Sequence, residues 1–279
     1  MRIMTSNIWG DYFGNPTAVR EDKLQNIYQK YNPDVLGMQE VTCAWYQSPL
    51  MKNLSRDYFF VGSELYEPAN YVLMAIKKEN LLLAKGYEQL EDPFDPSKAI
   101  TWAVIKTPEG RVIGLCNTHF WWMRGGSDDE HCKKREKNAA QLSRLMLTLR
   151  GRFGCPVFAF GDMNAAMPEK MFEVYRENGI KMLIEAAEER DTACSIHGDP
   201  QRGDDGFYHG TKVSKEYLDR LRRVLCLTAD EESPDYLASI DHIIGLGDDF
   251  AVKQYRVIEE QDALDATDHS PVFADIEFN

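Results

Sequence analysis

Short apolar runs rich in β-branched and aromatic residues recur from one end of the chain to the other, and they predict a protein with many strands. Nine runs stand out: Arg2–Ile8, Val35–Gln39, Tyr71–Ile76, Thr101–Ile105, Val112–Thr118, Val157–Phe160, Ser239–Ile244, Ala251–Ile258 and Val272–Phe278. In the last run apolar residues alternate along one face, although Phe273 on the other face is apolar too. The strands are therefore expected to be buried on one or both faces.

Four segments between these runs carry apolar residues at the spacing of one helix face. They are Leu24–Tyr31, Leu142–Leu149, Met171–Tyr175 after Pro168, and Lys215–Leu225. Strands outnumber helices and cluster in runs instead of alternating strictly with them. This order favours two packed sheets with helices outside over a doubly wound parallel sheet.

The length and composition indicate one globular domain. The chain has 279 residues, of which 43% are hydrophobic and 28% charged, and this composition excludes a disordered protein. No internal repeat, low-complexity tract or linker divides it. We therefore predict a single domain over residues 1–279.

The net charge of −13 limits the partners that the protein can bind. Nonspecific affinity for nucleic acid comes from Lys and Arg neutralising phosphates, so this charge excludes avid binding to long duplexes. It leaves small phosphorylated substrates open, and a local basic patch would still allow contact with short nucleic acid.

The cysteines and the apolar segments bear on the compartment. Six cysteines are scattered without a CxxC pair, which indicates reduced thiols and excludes a zinc ribbon. The amino terminus is predicted to form a strand at once, with no basic region before an apolar run, and no apolar stretch reaches transmembrane length. We expect a cytoplasmic protein without a transmembrane segment, and a monomer.

Polar residues follow the predicted strands at the points where they end. These residues are Asn7, Glu40, His119, Asp162 with Asn164, Asp241, and Asp268 with His269. Each has an ordinary explanation by itself: a turn residue, a cap, or a hydrogen-bonded histidine. Together they place carboxylates, amides and imidazoles at strand ends, where a scaffold presents its chemistry to a shared cleft.

The order of these motifs resembles the endonuclease/exonuclease/phosphatase superfamily. The resemblance rests on Thr5-Ser6-Asn7-Ile8-Trp9, Gln39-Glu40, Asn117-Thr118-His119, Gly161-Asp162-Met163-Asn164, Ser239-Ile240-Asp241-His242-Ile243 and Thr267-Asp268-His269-Ser270-Pro271. It covers nearly the whole chain. It implies an α/β fold, a four-layer α/β sandwich of two packed mixed β-sheets flanked by helices.

The resemblance also implies a role for each motif. Glu40 matches the principal ligand of a Mg²⁺ ion, with Mn²⁺ as the alternative, and Asn7 and Asp268 match supporting ligands. His269 matches the catalytic histidine and Asp241 the carboxylate that orients it. Asp162 would orient or deprotonate the attacking water, and Asn164 would donate a hydrogen bond to the phosphate. These roles suit hydrolysis of a phosphate ester around a hard cation.

His119 narrows the branch of the family that the chain resembles. Abasic-site endonucleases are expected to carry tyrosine at this place, whereas the DNase, sphingomyelinase and phosphatase branches carry histidine. A role in DNA repair is therefore disfavoured. A histidine here would hydrogen-bond a phosphate oxygen or protonate the leaving group.

Four further residues are predicted to contact substrate, each with a structural alternative. Trp121 and Trp122 follow His119 and would stack on a base or sugar or touch lipid, or else pack beneath their loop. Arg135 would reach a substrate phosphate or lie on a solvated helix face. His209 would face the cleft, or lie outside it.

The leading hypothesis is a metal-dependent phosphodiesterase or phosphatase that acts on a small or medium phosphorylated molecule. One alternative is a nuclease for single-stranded or short nucleic acid, which predicts a basic lane using Arg124, Lys133, Lys134 and Arg135. A second is a sphingomyelinase-like lipid phosphodiesterase, which predicts an outward patch of Trp121 and Trp122. A catalytically inactive binding module would lack a motif residue, and none is missing.

Overall fold

A computed structural model of the protein describes residues 1–62, 71–91, 97–122, 128–167, 169–224 and 234–279. The strands are β1 (Arg2–Asn7), β2 (Val35–Gln39), β3 (Tyr58–Val61), β4 (Leu73–Lys77), β5 (Leu81–Gln89), β6 (Ala99–Lys106), β7 (Val112–His119), β8 (Val157–Asp162), β9 (Ile180–Met182), β10 (Ala187–Arg190), β11 (Gln201–Arg202), β12 (Tyr208–His209), β13 (Asp241–Leu246), β14 (Phe250–Val257) and β15 (Val272–Phe278).

The helices are α1 (Glu21–Tyr31), α2 (Cys43–Tyr46), α3 (Pro49–Leu54), α4 (Asp128–Phe153), α5 (Met171–Glu177), α6 (Leu183–Ala186), α7 (Lys215–Val224) and α8 (Gln261–Ala266). The nine predicted strands and the four predicted helices are confirmed, with shifts at their ends. Three residues used in the sequence-based interpretation, Arg124, Pro168 and Leu225, lie outside the described ranges.

Thirteen of the described strands form two mixed sheets. The seven-stranded sheet has the order β10-β14-β15-β1-β2-β4-β3, and the six-stranded sheet has the order β5-β6-β7-β8-β13-β9. β1 runs parallel to β2 in the first sheet, and β7 runs parallel to β8 in the second. The remaining two strands, β11 and β12, pair with each other as a hairpin.

The alternation of side chains along each strand produces the layers. On β1, Ile3 belongs to the apolar cluster between the sheets, whereas its neighbour Met4 packs with Leu24 and Ile27 of α1 on the outer side. Since successive side chains point to opposite faces, a strand covered on both faces is apolar at nearly every position. This explains why the runs in the sequence are continuous.

Helices cover the outer face of each sheet. α1, α3 and α8 supply apolar residues to the cluster outside the seven-stranded sheet. α4 supplies Leu142, Met146 and Leu149 to the cluster around the six-stranded sheet, beside α5. The architecture is therefore helix, sheet, sheet, helix, and the predicted four-layer α/β sandwich is confirmed.

The two sheets approach closely beneath the strand ends that carry the motifs. A Cβ atom added to Gly37 on β2 would lie 2.4 Å from the Phe160 ring on β8, so only glycine allows this contact. Nearby, Gln39 donates to Asn117 Oδ1 at 2.6 Å, and Asn117 donates to the Met38 and Leu73 carbonyls. These buried bonds join β7 to β2 and β4, and they fix the two sheets relative to each other.

The helices within the described ranges include none with the length and apolar character of a membrane span.

Candidate active site

Register within the six-stranded sheet brings three predicted site residues together. His119 at the end of β7 is paired with Asp162 at the end of β8, and Asp241 at the start of β13 is paired with Asp162 from the other side. Residues opposite each other on neighbouring strands share a face and lie about 5 Å apart. His119 Nε2 lies 3.4 Å from Asp162 Oδ2, and all three side chains are buried.

The seven-stranded sheet contributes Asn7 and Glu40. Asn7 Nδ2 donates to Asp162 Oδ2 at 3.0 Å and to Glu40 Oε1 at 3.2 Å, so one amide joins carboxylates from the two sheets. The Asn7 Oδ1 atom accepts from the backbone N–H of Trp9 at 3.0 Å. In this arrangement Asn7 presents its nitrogen to the cluster, whereas the expected role as a metal ligand requires its oxygen.

The Glu40 backbone lies in the left-handed region, with φ of 62°. This conformation is uncommon for a residue other than glycine, and it occurs where the surrounding structure fixes it. The second carboxylate oxygen, Oε2, accepts from the backbone N–H of Gly10 at 2.9 Å. The carboxylate is thus oriented from two sides.

His269 forms a pair with Asp241 at the centre of the site. His269 Nδ1 lies 2.9 Å from Asp241 Oδ2, and its Nε2 lies 4.0 Å from both Asp162 Oδ2 and Asp268 Oδ1. The Ser195 hydroxyl donates to the same Asp241 oxygen at 2.7 Å and accepts from the backbone N–H groups of Ile240 and Asp241. Ser195 therefore holds the carboxylate that orients the imidazole.

Two backbone connections hold the segment that carries Asp268 and His269. Ser270 N–H donates to Ser195 O at 2.7 Å and His197 N–H donates to Asp268 O at 3.1 Å, in an antiparallel bridge centred on Ile196 and His269. The Thr267 hydroxyl donates to Asn7 O at 2.7 Å. The last motif is therefore attached directly to the first.

The turn after β8 fixes Asp162 and Asn164. Asp162 Oδ1 accepts from the Asn164 backbone N–H at 2.9 Å, and the Asn164 side-chain amide donates to Phe120 O at 3.0 Å. Asn164 has a φ of 49°, which asparagine tolerates better than most residues. Gly161 has a φ of +148°, and an added Cβ would lie 2.0 Å from the Thr118 carbonyl oxygen. Glycine is required immediately before Asp162.

Lys98, just before β6, is a site residue that the sequence analysis did not identify. Its side chain is buried, and its Nζ lies 2.5 Å from His119 Nε2. The backbone carbonyl of Lys98 accepts from Gln89 Nε2 at 2.8 Å, which fixes the main chain there. No motif marks this lysine; the available signal is its position directly before a buried strand.

Arg20 is a second residue that was missed, and it lies behind the site. Its buried guanidinium donates to five backbone carbonyls: those of Ile8, Trp9, Asn15, Pro16 and Ala266. The same group lies 5.0 Å from the centroids of the Trp9 and Trp45 rings. It joins the loop after β1 to the end of α8, which precedes Asp268.

Burial and crowding of charge change the protonation of the site. Desolvation and the nearby Asp241 raise the pKa of Asp162 to about 7, while desolvation and Glu40 raise the pKa of Asp268 to about 6. Desolvation acts to lower the pKa of His269, but Asp241, Asp268 and Asp162 together raise it well above the usual value. Desolvation, Lys98 and His269 lower the pKa of His119. The carboxylates of Asp162, Asp241 and Asp268 thus surround the His269 imidazole.

This donor set fits a divalent cation. Within the described ranges, the carboxylates of Asp162 and Asp241 and the imidazole of His269 offer ligand atoms that all lie within 4.8 Å of one another. Glu40 and Asp268 lie outside that group of three, and Glu40 raises the pKa of Asp268 electrostatically. Oxygen-rich clusters of this kind are the sites that Mg²⁺ and Mn²⁺ prefer. Desolvation and neighbouring carboxylates raise the pKa values of Asp162 and Asp268, and a bound cation would favour their ionised forms.

The four residues predicted to contact substrate differ in their placement. Arg135 forms a bidentate ion pair with Glu169, at 2.8 and 3.1 Å, and is buried instead of lying on a solvated face. Trp121 is half-buried and donates to His131 Nδ1 at 3.1 Å, whereas Trp122 is 54% exposed. His209 lies exposed on the β11–β12 hairpin beside Asp205. Of these four side chains, Trp122 alone is large, apolar and exposed.

Comparison with known proteins agrees with this geometry. The chain belongs to the Endonuclease/Exonuclease/phosphatase family, whose model matches residues 4–269. Members of this family are hydrolases that act on phosphate esters, and they generally use divalent metals. The resemblance drawn from the sequence motifs is therefore confirmed.

Individual relatives are distant. Exodeoxyribonuclease III of Haemophilus influenzae is 25% identical over 186 residues, a match that spans 66% of this chain and 64% of the relative's length. A crystal structure of an endonuclease/exonuclease/phosphatase from Bacteroides vulgatus superposes with a TM-score of 0.73 at 20% identity, covering 100% of this chain and 98% of the other. A mannosyl-6-phosphatase of Bacteroides thetaiotaomicron gives a TM-score of 0.69 at 19% identity and covers both chains fully. The structural likeness extends over the whole fold.

Proposed function

We propose that the protein hydrolyses phosphate ester bonds in a reaction that depends on a divalent metal, and that its substrate is a small or medium phosphorylated molecule. The observation that carries this proposal is the pairing of His269 with Asp241 at 2.9 Å while the other ring nitrogen faces Asp162 at 4.0 Å. An oriented imidazole beside a second carboxylate is an arrangement suited to moving protons at a phosphorus centre.

Glu40 and Asp268 would hold Mg²⁺ or Mn²⁺. The ion would supply Lewis-acid stabilisation of the charge that develops on the phosphate. We assign Asn7 a positioning role in place of the expected metal ligation, because its amide nitrogen bridges Glu40 and Asp162. The left-handed Glu40 backbone aims the carboxylate into the cluster.

Asp162 and His269 divide the proton chemistry. Because three carboxylates raise the pKa of His269 well above the usual value, the imidazole is protonated near neutral pH and donates to a phosphate oxygen. Asp162 then accepts the proton of the attacking water, whose oxygen forms the new bond to phosphorus as the bond to the ester oxygen breaks. The departing ester oxygen takes its proton from solvent. The remaining amide hydrogen of Asn164 donates to the phosphate in the same step, and Asp241 stabilises the imidazolium.

A nuclease for single-stranded or short nucleic acid is a second candidate, favoured by the similarity to an exodeoxyribonuclease. The basic lane that it predicts has weak support in the described residues. Arg135 is paired with Glu169, and Lys134 lies 4.7 Å from the Trp121 ring centroid, near Glu130. The lipid phosphodiesterase predicts two outward tryptophans, and Trp121 does not fulfil this because it is half-buried against His131.

The test is hydrolysis of a substrate panel with Mg²⁺, with Mn²⁺, and with chelator. The panel comprises p-nitrophenyl phosphate, bis-p-nitrophenyl phosphate, hexose phosphates, a short single-stranded oligonucleotide and sphingomyelin vesicles. We expect metal-dependent turnover of at least one phosphate ester. We expect His269→Ala and Glu40→Ala to lower kcat about 10²–10⁴-fold, while the exposed Glu177→Ala on α5 keeps wild-type activity. Full activity of both site variants would refute the mechanism.

A further inference from the structure

Arg20 acts on the site through the main chain. Its side chain is fully buried. A guanidinium has five N–H groups, and here each of them donates to a main-chain carbonyl, so none remains for a carboxylate. The five acceptors are the carbonyls of Ile8, Trp9, Asn15, Pro16 and Ala266. Arg20 therefore fixes backbone segments, and its effect on charged side chains is indirect.

One of these hydrogen bonds reaches Glu40 through a single peptide unit. Arg20 Nη2 donates to Trp9 O at 2.7 Å, and the N–H of the same peptide unit, that of Gly10, donates to Glu40 Oε2 at 2.9 Å. A peptide unit is planar and trans, so its C=O and N–H point in opposite directions. Hydrogen bonds arranged in such a chain polarise one another. Arg20 thus orients and strengthens the donor that holds the Glu40 carboxylate.

A second hydrogen bond holds the segment that carries Asp268. Arg20 Nη1 donates to Ala266 O at 2.9 Å, at the last residue of α8 and two residues before Asp268. The same nitrogen donates to Ile8 O at 3.0 Å, directly after β1. Carbonyls at a helix C-terminus lack intrahelical partners and favour a nearby cation. The end of α8 is therefore fixed relative to the loop after β1.

The charge of the guanidinium also acts on both expected metal ligands. Desolvation lowers the pKa of Arg20 to about 10, while Tyr208, Asp268 and Glu40 act to raise it. The group is thus protonated near neutral pH. The carboxylates of Asp268 and Glu40 repel each other, and a buried cation that interacts with both offsets part of this repulsion.

We propose that Arg20 is a positioning residue that holds Glu40 and Asp268 in place for a divalent cation and so sets the metal affinity of the site. The inference rests on the proposed function, in which these two carboxylates hold the metal. Residues that orient metal ligands from behind change metal affinity about 10- to 100-fold when they are replaced. Lysine cannot substitute, because its three donors lie on one nitrogen and do not form a planar fork.

The first test is calorimetric titration of the protein with Mn²⁺ alone, which needs neither substrate nor turnover. We expect Arg20→Lys, which keeps the charge, to raise the Mn²⁺ dissociation constant about 10- to 100-fold. Arg2→Lys is the matched control, because Arg2 also joins separate segments, at the opposite end of β1, through Tyr31 O and the Asp275 carboxylate. This control should lower the melting temperature and keep wild-type Mn²⁺ affinity. A purely structural role for Arg20 would give the same result in both variants.

A measurement on the wild-type protein keeps the inference testable if Arg20→Lys does not fold. Hydrogen exchange is followed by mass spectrometry in residues 8–20 and 263–270, with chelator and with Mn²⁺. Because Arg20 joins these segments, we expect them to open with the same free energy in chelator and to be protected equally by Mn²⁺. Segments that open separately in chelator would overturn the inference. So would an Arg20→Lys variant that folds and binds Mn²⁺ as wild type does.

These outcomes are separate from the fate of the proposed function. If wild type binds Mn²⁺, Arg20→Lys loses affinity and no ester of the panel is hydrolysed, the proposed function fails and the role of Arg20 stands. If esters are hydrolysed and Arg20→Lys keeps wild-type Mn²⁺ affinity, the function stands and the inference fails. A wild-type protein that binds no Mn²⁺ would refute both.

Discussion

Trp121 and Trp122 are neighbours in sequence and differ in their surroundings. The Trp121 indole N–H donates to His131, and Lys134 lies over its ring, so the N–H edge and one face of the residue have partners on α4. Trp122 leaves 54% of its surface to solvent directly after the strand that ends at His119. An exposed tryptophan at the rim of a site stabilises little in the free protein and is available to a ligand.

At the residue scale we therefore predict that one alanine variant changes substrate binding and the other changes stability. Trp122→Ala should raise KM about 3- to 30-fold for substrates with a flat or sugar leaving group, with kcat and the melting temperature nearly unchanged. Trp121→Ala should lower the free energy of unfolding by about 1–3 kcal/mol, because it removes packing and the hydrogen bond to His131. Steady-state kinetics and urea unfolding measure the two effects. A KM for Trp122→Ala equal to wild type on every substrate would place this residue outside the binding surface.

The sequence predicted the site residues that lie at the ends of apolar runs, because strand periodicity gives both their position and their direction. Asp162, Asp241 and His119 converge for this reason. Lys98 and Ser195 could not be predicted in this way, since each is brought to the site by a tertiary contact and neither follows a strand. The pairing of Arg135 with Glu169 also could not be predicted from the sequence, because it depends on how α4 packs against the turn after Asn164.

Among the elements, the pairing of β7 with β8 leaves no room for a side chain at Gly161. The Thr118 carbonyl occupies the space that any side chain at position 161 would need. The register at this point pairs His119 with Asp162. A shift of the strand would therefore separate the two side chains.

We predict that Gly161→Ala lowers kcat at least about 100-fold and the free energy of unfolding by about 2–4 kcal/mol, because the backbone conformation and the contact both oppose a Cβ. Gly151→Ala on α4 is the control, since no atom lies within 4 Å of its added Cβ. That variant should gain about 0.5–1 kcal/mol through helix propensity. Circular dichroism melts and turnover numbers for the two variants provide the measurement. Wild-type kcat in Gly161→Ala would show that the register at His119 is not needed.

The elements that the sequence missed share a physical cause. β5 is an edge strand whose residues alternate between exposed and half-buried, and Leu81 and Leu83 on its exposed side break the expected pattern. β9 and β10 have three and four residues, too few to show a period. α8 follows Glu260 and covers six residues, fewer than two turns. Short and edge elements depend on tertiary packing, which the local sequence does not encode.

For the whole molecule, the crowded carboxylates make stability depend on pH and metal. In metal-free protein the pKa values of Asp162 and Asp268 are raised to about 7 and about 6, whereas an unfolded chain titrates such groups near about 3.9. The folded protein thus keeps protons that the unfolded chain releases. The stability that the folded state gains by keeping these two carboxyls protonated is fully present below about pH 4. It is lost as the pH rises through 6 and 7.

We predict that, with chelator, Asp268→Asn becomes more stable than wild type as the pH rises from 4 to 7. The difference in the free energy of unfolding should reach about 1–2 kcal/mol at pH 7. Addition of Mg²⁺ should stabilise the wild type more at pH 7.5 than at pH 5, because it binds the ionised carboxylates, and should stabilise Asp268→Asn less. Urea unfolding across this pH range is the measurement, with the exposed Asp204→Asn as control. With chelator, a wild-type free energy of unfolding that rises from pH 5 to 7 relative to that of Asp268→Asn would contradict the raised pKa of Asp268.

The buried Arg20 has a consequence for how the protein resists proteases. Trypsin cleaves after arginine, and this arginine lies with its guanidinium among five carbonyls drawn from both ends of the family match. The peptide bond after it becomes a substrate only when the loop after β1 separates from the end of α8. The rate of tryptic cleavage after Arg20 therefore measures how often the fold opens where its first and last motifs meet.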